Sequence, residues 1–320
     1  MNNQVYTFGI YLHRKFGAKV HKVGINISGF TCPNIDGTVA KGGCTFCEND
    51  SFSASTDRVQ ELKGFYLNLQ STTNPYLEKQ LLQLEQQFSA ISARQRREYG
   101  AQKFLVYFQS FTNTYAPFET LKALYDKALT FDDVVGLSIG TRSDCLEDKT
   151  LAYLAELSKT KEIWIEFGIQ SIYDETLLKI NRGHDSANVQ EAIKKAKSYG
   201  LNVCGHLIFG LPDETQEMML KTAQAAYDLG IDSVKYHPLY VVKKTALANE
   251  YLRGDFTPIS EALYLDTLTK ALLMKPENVS VQRVTAGIND ASLLAPQWCS
   301  DKNRQIKNIN SELKKHGLKY

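Results

Sequence analysis

Residues 29–47 read GFTCPNIDGTVAKGGCTFC and place Cys32, Cys44 and Cys47 within one short segment, with a C-x11-C-x2-C spacing. An alternating, strand-like run over residues 20–27 comes directly before it. Thiolates concentrated in this way are soft ligands that suit zinc or an iron–sulfur cluster. A closed zinc site and an electron-transfer cluster each take four protein ligands. Three cysteines around a four-iron cluster leave one iron open, so this segment is typical of a catalytic cluster loop.

Strand and helix patterns alternate after this loop. Strands are predicted over residues 19–27, 104–109, 134–139, 163–169, 202–209 and 233–237, and helices over 75–99, 118–130, 147–159, 187–199 and 215–229. Repeated β-α units predict an α/β fold with a parallel sheet and right-handed crossovers. Six units are too few for a complete eight-unit barrel. The prediction is therefore a partial (βα)6 TIM-like barrel, with its chemistry at the carboxyl ends of the strands.

The pattern changes after residue 240. A helix over 260–274, a short strand over 279–283 and a basic helix over 301–316 are predicted there. We interpret residues 1–240 as the core, with its N-terminal entry segment, and residues 241–320 as a C-terminal helical cap packed on the barrel.

Composition indicates a cytoplasmic protein. The chain has 320 residues, of which 43% are hydrophobic, and no apolar run approaches the roughly 18 residues of a membrane span. Its first residues lack the charged and apolar regions of a secretory signal. Six cysteines, three of them scattered, fit a reducing compartment better than a disulfide framework.

Charge is distributed unevenly, although the net charge is only +2. Residues 301–320 contain six lysines and arginines against two acidic residues, and Arg94, Arg96 and Arg97 form a second basic group. Both groups are able to contact phosphate. The alternative is a solvated helical face, with cations placed where helix C-termini favour them.

The cysteine segment resembles the cluster loop of radical S-adenosylmethionine (SAM) proteins of the YhcC/YtqA-like family. That family is related to the Elongator catalytic subunit and to oxygen-independent coproporphyrinogen oxidase. The resemblance is carried by CPN at 32–34, DGT at 36–38 and GGCTFC at 42–47, and by FGAKV at 16–20. Ile35 departs from it, since arginine is expected there. The resemblance implies a barrel of radical SAM type and a 4Fe–4S cluster held by Cys32, Cys44 and Cys47.

Polar turns at the ends of the second and third strands resemble the family's cofactor contacts. The second strand ends in QSFT at 109–112, where the resemblance implies that Gln109 and Ser110 meet the amino group of SAM. The third ends in GTRSD at 140–144, similar to a T-R-P-D turn. There Arg142 is expected to pair with the methionyl carboxylate bidentately. The alternative for Arg142 is an ion pair with Asp144 or Glu147.

The fourth and fifth strands carry further motifs. EFGIQS at 166–171 and NRGH at 181–184 resemble the family's ribose side, which assigns Glu166, Gln170 and Arg182 to SAM. An ion pair between Glu166 and Arg182 is the alternative. GHLIFGLPDET at 205–215 resembles the adenine-side strand. His206 is expected to line that pocket and Phe46 to pack on the adenine. The alternative for both is a core role, which is the more common one for a lone strand histidine and equally acceptable for Phe46.

The resemblance implies an enzyme that uses the cluster to cleave SAM and generate a 5′-deoxyadenosyl radical, with electrons from a donor such as flavodoxin or ferredoxin. Kinship with the Elongator subunit points to tRNA. The expected reaction remodels the 5-substituent of a wobble uridine, such as carboxymethylaminomethyl to aminomethyl. The RVTAG run at 283–287 is typical of the family, but no chemistry is assigned to it.

Two other functions are consistent with parts of the sequence. One is a radical SAM oxidase acting on a porphyrin-like or other small molecule. The other is a zinc-stabilised RNA-binding protein without redox activity, in which a residue such as His21 would be the fourth zinc ligand. An eleven-residue first spacing is unusual for zinc.

Overall fold

The computed structural model describes residues 4–48 and 65–320, and a curved parallel sheet forms its centre. The strands are β1 Val20–Ile25, β2 Lys103–Phe108, β3 Val134–Thr141, β4 Glu162–Gln170, β5 Asn202–Phe209, β6 Ser233–Pro238, β7 Val241–Val242, β8 Ser280–Arg283 and β9 Leu293–Ala295. Seven of them lie side by side in the order β1-β2-β3-β4-β5-β6-β8, and each is parallel to its neighbours. This sheet curls into a half-barrel. The short strands β7 and β9 pair separately and antiparallel.

Helices connect the strands and cover the outer face of the sheet. They are α1 Phe8–Phe16, α2 Leu77–Tyr99, α3 Phe118–Leu129, α4 Asp148–Ser158, α5 Asp174–Lys179, α6 Ser186–Ser198, α7 Gln216–Asp228, α8 Ala246–Arg253, α9 Glu261–Met274 and α10 Lys302–Lys315. Gly200 and Gly230 follow α6 and α7 with left-handed φ angles of 73° and 78°, as expected of C-terminal caps. In the part of the chain that is described, no helix is long and apolar enough to cross a membrane.

Side chains of β4 show how the sheet divides its two faces. Ile165 and Phe167 point outward into the large core beneath the helices. Trp164 and Glu166 alternate with them and point into the barrel. At the N-terminal end of the barrel, the ring of Phe8 in α1 lies edge-on to Trp164, with 5.0 Å between their centroids. Helix α1 therefore closes one end of the barrel, and the carboxyl ends of the strands form the open end.

The partial barrel confirms the predicted fold, with one addition. The strand predicted over 279–283 joins the main sheet as β8 and pairs parallel with β6, where Val281 is 1% exposed. An apolar strand beside an otherwise unpaired sheet edge gains both burial and ladder hydrogen bonds. The helices α1, α5 and α8 were not predicted. The division of the chain at residue 240 stays a prediction, since β6 and β8 lie on either side of it in one sheet.

Candidate functional site

The cysteine loop follows β1 at the open end of the barrel, and the sulfur atoms of Cys32 and Cys44 accept hydrogen bonds. Thr112, in the turn after β2, donates its hydroxyl to Cys32 Sγ at 3.0 Å. Cys44 Sγ accepts from Asn34 Nδ2 at 3.4 Å and from Arg182 Nη1 at 3.6 Å. Such contacts stabilise a thiolate and orient it, as the surroundings of a metal-bound cysteine do.

The connection between α5 and α6 holds this loop in place. Asn181 donates its side-chain amide to the carbonyl oxygens of Lys41 and Gly43, at 3.0 and 2.7 Å. Its own carbonyl accepts from Asn34 Nδ2 at 3.2 Å. The NRGH run thus serves as a clamp on the cysteine loop, in addition to the contact that Arg182 makes with Cys44.

The three cysteines suit an iron–sulfur cluster better than a single zinc ion. One zinc ion with Zn–S bonds of about 2.3 Å would bring its sulfur ligands within roughly 4 Å of each other. The sulfur atoms of Cys32, Cys44 and Cys47 do not all lie within 4.8 Å of one another. His21, the suggested fourth zinc ligand, lies near the start of β1 and stacks on Tyr99, at the opposite end of the strand from the loop. That part of the zinc hypothesis is wrong.

Burial keeps two of these thiols protonated unless a metal binds them. It raises the pKa of Cys32 to about 11, against a smaller opposing effect of the Thr112 hydroxyl, and it also raises the pKa of Cys47. At neutral pH these two groups are therefore protonated when no cation binds them. A cluster would replace the protons with iron, and its positive charge would compensate the buried thiolates.

A cavity of about 220 Å³ adjoins the sulfur atoms, and the predicted site residues meet there. Its walls come from the ends of β2 to β6, from the end of β8, from the cysteine loop and from the connection after α5. The residues predicted for the cluster and for SAM all line it: Cys32, Cys44, Phe46, Cys47, Gln109, Ser110, Arg142, Glu166, Gln170, Arg182 and His206. The structure brings the predicted set together, while the role of each residue toward SAM stays a prediction.

Several polar atoms on this wall are buried and have no hydrogen-bond partner among the described residues. They include Gln109 Nε2, Arg142 Nη1, Gln170 Oε1 and Arg182 Nε. Leaving a buried donor or acceptor unpaired costs about 1–3 kcal/mol, so such atoms indicate a missing ligand. Donors and an acceptor on residues that line one cavity fit a molecule with a carboxylate and hydroxyl groups, and SAM has both.

Arg142 is held in a fixed orientation by its neighbour. Its Nε and Nη2 donate to the two carboxylate oxygens of Asp144 at 2.9 and 2.7 Å, and the Arg142 residue is 3% exposed. The ion pair with Asp144 that the sequence left as an alternative is therefore present. Nη1 has no partner among the described residues, so the expected bidentate contact with the SAM carboxylate would have to use this remaining edge of the guanidinium.

Glu166 has partners that the sequence did not reveal. Its carboxylate accepts from Lys22 of β1 and Lys235 of β6, from Ser138 at 2.5 Å and from His206 Nε2 at 2.7 Å. Although burial favours the neutral acid, the charges of Lys22 and Lys235 hold the pKa of Glu166 well below its ordinary value. The ion pair with Arg182, which was the alternative for Glu166, is not among the ion pairs of the described residues, and the Nη2 of Arg182 donates to a backbone carbonyl instead.

This charge cluster also bears on the predicted ribose contact. Both oxygens of Glu166 are already bound, whereas Gln170, which lines the same cavity, has an Oε1 without a partner among the described residues. Glu166, Cys204 and His206 lie close enough to bind a metal ion, but the two lysines already neutralise the one carboxylate. Gln170 is therefore the better candidate for a ribose hydroxyl.

Comparison with known proteins agrees with this site. Residues 37–226 match the radical SAM superfamily, and residues 231–315 match the radical SAM C-terminal domain. The chain belongs to the radical SAM superfamily. The uncharacterised protein YtqA of Bacillus subtilis is 36% identical over 312 residues, which cover 98% of this chain and 90% of YtqA. The chain is thus a radical SAM enzyme of the YhcC/YtqA-like family.

Two more distant similarities involve a tRNA uridine(34) acetyltransferase and archaeal Elp3. The tRNA uridine(34) acetyltransferase of Methanocaldococcus infernus is 32% identical over 157 residues, which cover 48% of this chain and 29% of the acetyltransferase. The solved structure of archaeal Elp3 from M. infernus superposes with a TM-score of 0.62 at 20% identity, covering 93% of this chain and 64% of that one. The second likeness concerns the fold alone.

As a radical SAM enzyme, the protein uses a 4Fe–4S cluster and SAM. The residues around the cavity fit both groups, with Cys32, Cys44 and Cys47 placed to hold the cluster. Phe46, between the last two cysteines, is 7% exposed and packs in an apolar group with Ile208 of β5. An aromatic ring on that wall suits the adenine of SAM.

Proposed function

We propose that this radical SAM enzyme acts on tRNA and remodels the 5-substituent of a wobble uridine, such as carboxymethylaminomethyl to aminomethyl. The observation that carries the proposal is the 157-residue similarity to a tRNA uridine(34) acetyltransferase, because position 34 is the wobble position. The fold shared with archaeal Elp3 agrees with it.

The residues around the cavity have separate tasks in this reaction. Together, a reduced cluster and SAM supply a radical that abstracts a hydrogen atom from carbon. Arg142, fixed by Asp144, orients an anionic end of the cofactor, and Gln170 accepts from a hydroxyl. Arg182 places a positive charge beside Cys44, where it favours the electron-rich form of the cluster. Burial of the cavity wall limits the access of water to the radical.

Basic side chains on the surface are consistent with an RNA partner. Lys302, Lys307 and Lys314 are exposed on α10, and Arg94 is exposed on α2. These cations are available to phosphate groups, and such contacts weaken steeply with salt. Arg96 differs from them, because it pairs with Asp133 at 2.7 Å and lies over the ring of Phe104.

The test is mass spectrometry of nucleosides from total tRNA of a strain that lacks this protein, beside its parent. We expect one 5-substituted wobble uridine to disappear and its precursor to accumulate. Re-introducing the wild-type protein restores the modification, whereas the Cys44→Ala variant does not. An unchanged nucleoside profile in the deletion strain rejects tRNA as the substrate and leaves the radical SAM assignment in place.

A further inference from the structure

Arg283 ends β8 and points into the barrel beside the SAM cavity. It pairs in register with Lys235 of β6, whose side chain reaches Glu166 inside the barrel. Arg283 lines the SAM cavity and also a second, adjoining cavity of about 500 Å³. The two cavities share Tyr107, Gln109 and Arg283 in their walls. The guanidinium of Arg283 therefore lies at the boundary between the SAM cavity and the second cavity.

The positive charge of Arg283 has no carboxylate partner among the described residues. Glu166 is bound to Lys22 and Lys235, and Asp144 is bound to Arg142. Arg283 is half-buried and carries no ion pair within the part of the chain that is described. A partly buried, unpaired guanidinium is unfavourable unless a ligand supplies the opposite charge. The boundary between the two cavities is therefore prepared for an anion.

Neutral donors lie around the same position. His237 of β6 lines the SAM cavity with Arg283, and its Nε2 is buried without a partner among the described residues. Burial and then the charge of Arg283 hold the pKa of His237 well below its ordinary value, so the ring is neutral and keeps one N–H. Gln109, whose Nε2 is also buried without a partner in the described part of the chain, lines both cavities and is already assigned to SAM.

A guanidinium accompanied by N–H donors is the usual protein site for a carboxylate. The residues assigned to SAM come from the cysteine loop, β2 to β5 and the connection after α5, and Arg142 already faces the methionyl end from β3. Arg283 comes from the far edge of the sheet. We propose that Arg283, with His237, binds a carboxylate of the substrate next to SAM. The proposal rests on the proposed function, since a carboxymethylaminomethyl group carries one such carboxylate and an aminomethyl group carries none.

Two anticodon stem-loop RNAs test the proposal, one with 5-carboxymethylaminomethyluridine at the wobble position and one with 5-aminomethyluridine. Binding is measured with SAM and the reconstituted cluster but without reductant, so that no turnover occurs. We expect wild-type protein to bind the carboxylated RNA about tenfold more tightly or better. Arg283→Gln should abolish this preference while its affinity for the aminomethyl RNA and for SAM stays unchanged. Arg283→Lys should restore part of the preference, and the exposed Arg253→Gln should retain all of it.

Other results overturn the carboxylate assignment in distinct ways. If Arg283→Gln weakens the binding of both RNAs equally, Arg283 contacts a phosphate and not the carboxylate. Weaker SAM binding by the same variant would assign Arg283 to the cofactor. Unchanged preference would remove Arg283 from recognition altogether.

A second measurement separates this proposal from the proposed function. The unfolding temperature of wild type and of Arg283→Gln is compared in sodium acetate and in sodium chloride of equal ionic strength. We expect acetate to stabilise the wild type more than the variant. If wild type binds neither RNA but shows this difference, the tRNA proposal fails and the carboxylate site stands. If acetate acts equally on both proteins, the site is refuted whatever the RNA result.

Discussion

The guanidinium of Arg182 lies 3.6 Å from the sulfur of Cys44, and its other terminal nitrogen donates to the carbonyl of Gly168 at 2.8 Å. One side chain thus joins the end of β4 to the cluster loop. Gly168 permits this arrangement, because a Cβ there would lie 2.9 Å from the Nη2 of Arg182 and 2.6 Å from Gln170 Nε2. A positive charge at this distance stabilises the reduced cluster, which is the more negative state.

Arg182→Gln should lower the reduction potential of the cluster, by an amount on the order of tens of millivolts. Removing a partner that contacts a metal ligand commonly costs about 10–100-fold in activity or metal affinity, so SAM cleavage should slow as well. An anaerobic redox titration followed by electron paramagnetic resonance measures the potential directly. Arg253→Gln, an exposed arginine outside the cavity, is the matched control. An unchanged potential in Arg182→Gln would mean that the guanidinium serves only to hold the loop.

Cys44→Ala should remove the cluster, with loss of iron, sulfide and the brown colour after anaerobic reconstitution. SAM cleavage should disappear with it, because no other cysteine lies in the loop to replace the lost ligand. Cys299→Ala is the control, since Cys299 is a fully buried free cysteine outside the cavity and should leave the iron content unchanged. SAM cleavage by Cys44→Ala would contradict the ligand assignment.

The sequence predicted the positions of motifs better than the contacts they make. Gln109, Arg142 and Gln170 each stand at or just after the carboxyl end of a strand, and parallel strands in one sheet bring those ends to the same edge. The alternation along β4 likewise placed Glu166 on the inner face. These features depend on local pattern and on a general rule of topology, so a single sequence was sufficient to find them.

The partners of Glu166 could not be predicted in the same way. Lys22 and Lys235 come from β1 and β6, which are distant in sequence and meet Glu166 only when the sheet curls. A signal was nevertheless present, because each lysine lies in the middle of a predicted strand and a buried lysine requires a nearby acid. No role was predicted for Arg283 for a related reason, since its strand β8 joins the sheet at the edge beside β6.

Gln170→Met should weaken SAM binding by about 2–10-fold, the usual value of one hydrogen bond to an uncharged group. The reason is that Gln170 Oε1 is a buried acceptor on the cavity wall without a partner among the described residues. Methionine keeps the length of the side chain but removes the amide. Calorimetry with SAM on the reconstituted protein measures the affinity, and iron analysis checks that the cluster is retained. Gln86→Met, exposed on α2, is the control, and equal affinities in all three proteins would move the hydroxyl contact to another residue.

The stability of the protein should depend on His206 below neutral pH. Burial and then the charge of Lys235 lower the pKa of His206 to about 4 in the folded protein, despite its hydrogen bond to Glu166. The unfolded chain binds a proton at this residue below about pH 6.5, whereas the folded protein does so only below about pH 4. The unfolded state therefore binds more protons between these values, and stability falls as the pH decreases through this window. Across this pH window the free energy of unfolding decreases by an amount on the order of 3 kcal/mol.

His206→Gln should reduce this pH dependence, because glutamine keeps an N–H that can donate to Glu166 but has no proton to gain. The free energy of unfolding is measured by denaturant titration at several pH values between 4 and 7. His13→Gln replaces an exposed histidine of α1 and should follow the wild-type curve. If His206→Gln loses as much stability as wild type between pH 6.5 and 4, then other groups carry the acid sensitivity and His206 is not held neutral in the barrel.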